Sequence, residues 1–264
     1  MSINRFLLYF RTLYKLNIIK TLYFNFKLLK LKDAIKLPFL FFGNVKLGKE
    51  NYRIAGTYKE TGIFRWGVDY EGFAPSNMPS SFSLGKHAIL EIRGRSDVAC
   101  GVVFRISGHL ILSKGSFIGS KSIVVCDKKI SIGICSRIAF GSVLMDTNHH
   151  FVIYNNQVTP REKAITIGDY CWIGNNSTIG KGCVLPNNTI IAAKSFISKD
   201  YTELGENCLL AGCPAKVKQN GIRRLYNIEI EENIQEYFNA HKDVKFYYLS
   251  EEEKNRSNYI RNNL

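Results

Sequence analysis

From Ile167 to Ile197 an aliphatic residue returns at every sixth position, through Ile173, Ile179, Leu185 and Ile191. Four residues after each of the first five stands a small one: Cys171, Ser177, Cys183, Thr189 and Ser195. A period of six fits neither the helical period of about 3.6 nor the strand period of about two, but it suits a chain coiling into stacked parallel strands. The aliphatic side chains then point into the coil, and the small ones fit where a flat face turns a corner. Directly after the aliphatic positions come Gly168, Gly174, Gly180, Pro186 and Ala192, the compact residues a tight corner needs. An ordinary run of short strands predicts drifting spacing instead, which this segment lacks.

The pattern extends upstream. Ile106, Leu112, Ile118, Val124 and Ile130 keep the step, with Ser116 and Ser122 in small slots; after a two-residue slip Ile132, Ile138 and Leu144 resume it, with Ser136 and Ser142. Between Leu144 and Ile167 the repeat stops. The non-repetitive stretch contains Asp146-Thr147-Asn148-His149-His150 and Thr159-Pro160-Arg161. An insertion that interrupts a regular solenoid predicts a protruding loop, and such loops carry chemistry that the scaffold positions.

Before the repeat the pattern changes. Arg5, Arg11, Lys15, Lys20, Lys27, Lys30, Lys32 and Lys36 alternate with Phe, Leu, Ile and Tyr, so no uncharged apolar run of about 18 residues exists to span a membrane. No short apolar region ends in a small-residue cleavage site either. The segment reads as one or two basic amphipathic helices with two roles open: a cap over the open end of the coil, which is the leading expectation, or peripheral contact with an anionic membrane. Beyond Gly221, Ile228, Ile230, Ile234 and Phe238 recur at helical spacing, while Ser250 to Leu264 is polar enough to fray. The expected organisation is a basic helical segment over 1–45, a coil over 46–217 with a histidine-bearing loop at 145–166, and a charged helical extension over 218–264.

Charge and cysteine content narrow the partners. The 264 residues carry 36 Lys plus Arg against 22 Asp plus Glu, a formal charge of +14 that favours phosphate-bearing ligands or an anionic surface. Nothing resembles a nucleic-acid-binding motif, so nucleic acid is not expected as a partner. Seven cysteines make an odd count without a CxxC pair, and Cys171 and Cys183 fall in small repeat slots. They read as buried free thiols in a reducing cytoplasm rather than a disulfide framework.

Two stretches carry a family resemblance. Ile167-Gly168-Asp169-Tyr170-Cys171-Trp172-Ile173-Gly174 and Ala211-Gly212-Cys213-Pro214-Ala215-Lys216 resemble the signature end of the hexapeptide-repeat acyltransferases, with Cys213 where Asn is customary. Asp146-Thr147-Asn148-His149-His150 is similar to a D-T-D-x-H segment of members associated with surface polysaccharides. The resemblance covers roughly Leu84 to Lys218. It implies a left-handed parallel β-helix, assembled as a homotrimer with sites between subunits, that moves an acetyl group from acetyl-CoA to a hydroxyl or amine. It also implies a histidine base, and no metal. Aligned on D-T-D-x-H the base is His150; aligned on the sugar-acetyltransferase branch it is His149. Adjacent residues on an extended segment point to opposite sides, so one of the pair should reach the cofactor, with His150 favoured.

Residue by residue, the resemblance places coenzyme A against Asn175, Ala193, Ser198, Lys199, Lys216 and Lys218. Asp146 orients the histidine, binds the acceptor or caps its loop, and Trp172 is expected to pack against neighbouring coils, with cofactor contact the lesser alternative. His87, His109 and His241 lack the loop context and read as surface or core residues. The leading expectation is O-acetylation of a sugar in a capsule, O-antigen or exopolysaccharide precursor, on a free, lipid-linked or nucleotide-linked saccharide. N-acetylation of a nucleotide-linked amino sugar is the close alternative. A zinc carbonic-anhydrase-type coil needs three converging imidazoles, which adjacent His149 and His150 do not supply; a non-catalytic scaffold is the remaining class.

Overall fold

The computed structural model describes residues 15–48, 53–56, 60–69 and 78–263; Arg5 and Arg11 of the basic segment lie outside them. The chain divides into two compact units, Met1–Ile222 and Arg223–Leu264.

The first unit is a parallel β-helix. Its strands stack into faces of nine, seven and six strands, and neighbours within each face are parallel apart from the final pair, Cys208–Gly212 with Ala215–Asn220. Each coil contributes one short strand to each face, so residues far apart in sequence sit side by side: Ile132 beside Ile167, Ile173 beside Ile191, Ile179 beside Ile197. Every aliphatic residue of the repeat from Ile106 to Ile197 is buried. The small slots are buried too, and their hydroxyls close the corners: Ser136 Oγ donates to the Gly168 carbonyl at 2.6 Å and Ser177 Oγ to that of Ala192 at 3.1 Å.

The corners work differently from the expectation. The left-handed backbone sits at Tyr170, Asn176, Gly182, Asn188 and Lys194, three residues after each aliphatic position, not one. Gly174 is required for another reason. A Cβ there would stand 2.6 Å from the Ala193 nitrogen of the next coil, so the glycine permits stacking rather than turning.

The coil begins earlier than residue 46. Phe39–Phe41 already pairs with Phe64–Val68 in the nine-stranded face, and its interior is aromatic: the Trp66 ring lies 4.9 Å from Phe82 and 4.6 Å from Phe104. Over this end lies helix α1 (Ile18–Leu28), followed by the short α2 (Leu31–Ala34). α1 inserts Phe24 among Phe39, Phe41 and Phe82, so the described part of the basic segment caps the coil.

The second unit contains α3 (Ile228–Ala240) and α4 (Glu251–Asn263). α4 corrects the expectation of fraying. Ser250 Oγ accepts from the Glu253 N–H at 3.2 Å while Glu253 Oε2 accepts from the Ser250 N–H at 2.8 Å, a reciprocal capping box that starts the helix despite its polarity.

Candidate active site

The insertion leaves the coil after the strand Val143–Met145 and returns at Ile165–Ile167. Its base is closed by Lys163 N–H to the Asp146 carbonyl at 2.9 Å and Asn148 N–H to the Arg161 carbonyl at 3.1 Å. Asp146 is fully buried, and its carboxylate accepts from the backbone N–H groups of Asp127, Lys128 and Lys129 at 2.8, 2.9 and 2.7 Å. These three bonds are those of a capping aspartate. The outer part of the loop is a two-stranded ribbon, Ile153–Tyr154 against Gln157–Val158, turned by Asn155 and Asn156 at φ 47° and 60°.

His149 and His150 do not lie on an extended segment. His149 has φ 59°, stabilised by its N–H bond to Thr147 Oγ1 at 3.0 Å, so the opposite-sides rule does not govern the pair. The His149 ring lies between two charged groups. Nδ1 is 3.4 Å from Asp127 Oδ2 and Nε2 is 3.1 Å from Arg105 Nη1, while Arg105 Nη2 stands 3.6 Å from Asp127 Oδ1. Arginine has donors only, so Nε2 accepts, and the neutral ring carries its proton on Nδ1 toward the carboxylate. His150 is exposed, with no side-chain hydrogen bond among the described residues. Its neighbour Phe151 carries the Arg161 guanidinium 4.8 Å above its ring.

Sequence reasoning missed Arg105 and Asp127. The register explains why they arrive: Arg105, Val125 and Met145 are consecutive neighbours across the seven-stranded face, and Asp127 follows its strand as the loop follows Met145. A search for columns spaced by one coil, rather than by one hexapeptide, would have found them.

The cofactor candidates separate into groups. Asn175 and Ala193 line one cavity of about 390 Å³ with Trp172, Gly174, Ile190 and Leu209. Trp172 lies beside Arg137 and Ile190 of the neighbouring coils and is 42% exposed. Ser198 and Lys199 follow the strand Phe196–Ile197 at the next corner, with Ser198 stacked against Gly180. Lys216 and Lys218 are exposed on the returning strand Ala215–Asn220. The cavity thus lies where the nine-stranded face turns into the seven-stranded one, and the histidine loop leaves where the seven-stranded face turns into the six-stranded one. One chain does not bring the two together at a single corner.

Cysteine chemistry is disfavoured at this coil. Burial pushes the Cys171 thiol up to about 12 and raises Cys126 and Cys183 further, so all three stay protonated and weakly nucleophilic.

Residues 164–199 match the family described as bacterial transferase hexapeptide, six repeats. Over that segment the repeat is similar to that of the bacterial hexapeptide transferases. The chain is 27% identical over 146 residues to galactoside O-acetyltransferase of Escherichia coli K12, an alignment spanning 54% of this chain and 70% of that one. It is 30% identical over 129 residues to polysialic acid O-acetyltransferase of Escherichia coli O1:K1, spanning 45% of this chain and 41%, less than half, of the relative. The crystal structure of the polysialic-acid-specific acetyltransferase NeuO superposes with a TM-score of 0.54 at 19% identity, covering 80% of this chain and 91% of that one, which is a likeness of fold.

Proposed function

We propose that this protein is an acetyl-CoA-dependent O-acetyltransferase that modifies a saccharide of a surface polysaccharide, with a loop histidine as general base. The observation that carries the reading is the break in the hexapeptide coil, where a histidine is held between a carboxylate and a guanidinium. Acetyl transfer from a thioester needs a base for the incoming hydroxyl, and no covalent enzyme intermediate. The names of the relatives support the acyl group and the saccharide class.

The geometry shifts the choice of base from His150 toward His149. A base works best when its second nitrogen faces a carboxylate, which fixes the tautomer and stabilises the imidazolium that forms. His149 has Asp127 in that position. In the reaction Arg105 gives up its bond to Nε2 as the acceptor hydroxyl arrives, and Nε2 takes the hydroxyl proton as the oxygen attacks the thioester carbonyl. The tetrahedral intermediate then expels the coenzyme A sulfur, which receives the proton from the imidazolium, leaving the acetyl ester and free thiol. The largely apolar cavity at Trp172, Asn175 and Ala193 suits the pantetheine arm, and Lys216 and Lys218 offer cations to the nucleotide phosphates as flexible point charges.

Because cavity and histidine loop flank opposite edges of the seven-stranded face, we further propose that a homotrimer completes each site, one copy's loop meeting the next copy's cavity. The outward column Val103, Ile123 and Val143 on that face, with Val103 and Ile123 exposed, supports an apolar contact that closes under a threefold axis. The protein works in the cytoplasm, where acetyl-CoA is made. Thiol release from acetyl-CoA with purified polysaccharide fragments tests the reading: release that depends on the saccharide supports it, and no release with any saccharide while an amino-sugar nucleotide is turned over would replace it with N-acetylation.

A further inference from the structure

Helix α1 has two faces, and the coil uses one of them. On the inner face Asn25 Nδ2 donates to the Phe39 carbonyl at 2.7 Å and Asn25 Oδ1 accepts the Phe39 N–H at 3.1 Å, while Thr21 Oγ1 accepts the Phe41 N–H at 3.1 Å. With Phe24 in the aromatic core, these bonds fix the rotation of the helix about its axis. The opposite face is apolar and, among the described residues, uncovered. Ile19, Leu22, Tyr23 and Phe26 follow the i, i+3, i+4, i+7 spacing of a single stripe, and Ile19 is 81% exposed. Leu31 and Ile35, just beyond α1, are also exposed, at 67% and 64%. Capping therefore accounts for the inner face and leaves the outer stripe without a role.

We propose that this stripe docks the protein on an anionic membrane surface. The occupant follows from the charges around it. Lys27, Lys30, Lys32 and Lys36 are exposed beside the stripe, and Asp33 is the only acidic residue from Ile18 to Lys36. A second copy on the same stripe would set like charges face to face, and the cores of protein interfaces are depleted in lysine. Acidic lipid headgroups complement the lysines while the aromatic and aliphatic side chains enter the interface. No helix among the described residues is long and apolar enough to cross a membrane, and α1, at 11 residues, lies on the surface rather than through it. The inference stands on α1 and its neighbours alone and does not depend on acetyl transfer.

The test is co-sedimentation of the full chain with phosphatidylcholine vesicles, with and without phosphatidylglycerol, across a salt series. The protein pellets with the anionic vesicles, loses binding as salt rises, and stays in solution with phosphatidylcholine alone. Replacing Lys27, Lys30, Lys32 and Lys36 by Gln one at a time weakens binding about fivefold per lysine. The double variant Ile19→Ser, Phe26→Ser abolishes binding with an unchanged melting temperature and unchanged solution mass. The proposal is overturned by binding indifferent to phosphatidylglycerol, by no binding to either vesicle, or by variants that pellet like the parent chain. It is equally overturned if the double variant lowers the melting temperature or the oligomeric mass, since the stripe would then be covered by this chain or by a second copy.

Discussion

The two halves of the coil fill the same kind of interior with different periods. Before the histidine loop, Leu112 lies beside Ile132 and Val124 beside Leu144, neighbours twenty residues apart in the chain. After the loop, Ile167 lies beside Leu185 and Ile173 beside Ile191, neighbours eighteen apart. Eighteen is three hexapeptides. The longer coil carries strands of four residues such as His109–Leu112 and Lys129–Ile132, each with two side chains in the core: Leu110 with Leu112, Ile130 with Ile132. Toward α1 the interior is filled by Phe and Trp. The loop is inserted where one period gives way to the other, a place where the stack must change in any case.

The largest test of this comparison is a charge placed in the regular half. Ile179→Asp leaves an unpaired carboxylate in an apolar interior, a cost of several kcal/mol that prevents a cooperative fold; a normal circular-dichroism melt would show that the interior is not sealed. In the wider half, Trp66→Ala removes a fully buried ring that contacts Phe82 and Phe104, with an expected loss of about 3–5 kcal/mol in denaturant unfolding. A loss below that range would mean the aromatic half collapses around the gap.

Between the halves, Asp146→Ala strips the partner from three backbone N–H groups and should cost about 1–3 kcal/mol, concentrated in the loop. Hydrogen exchange that quickens around 146–163 while the strands on either side stay protected is the expected outcome; uniform quickening would make Asp146 part of the core instead. The smallest effect is alkaline. Cys171 has a folded pKa near 12 against an ordinary 9.0, so the folded chain holds its proton while the unfolded chain ionises. Stability is therefore whole below pH 9 and falls as pH rises from 9 toward 12. Cys171→Ala should show a shallower fall between pH 9 and 11 than the parent chain, and parallel curves would contradict it.

The same comparison explains what could be read in advance. The eighteen-residue coils announce themselves because Ile167 through Ile197 repeat without interruption, and those positions and their small partners are buried as expected. The twenty-residue coils hide, because a second inward residue per strand turned Ile130 and Ile132 into an apparent single slip when it recurs at Leu110 and Leu112. Phe39 and Phe41 fit no six-residue frame, so the first strand of the coil falls inside the segment expected to be helical, 1–45. At the site, His149 and His150 were found by their position in the break. Arg105 was not, because 44 residues separate it from His149 and only coil stacking joins them.

We propose that the carboxylate-oriented histidine of the loop takes the acceptor proton. Thiol release from acetyl-CoA, measured with one saccharide acceptor for His149→Ala and His150→Ala side by side, tests it most directly. The prediction is a loss in turnover of about 10²–10⁴ for His149→Ala, the range for a general base, with acetyl-CoA affinity retained and most turnover surviving in His150→Ala. Full turnover in His149→Ala with the loss falling on His150→Ala would contradict it.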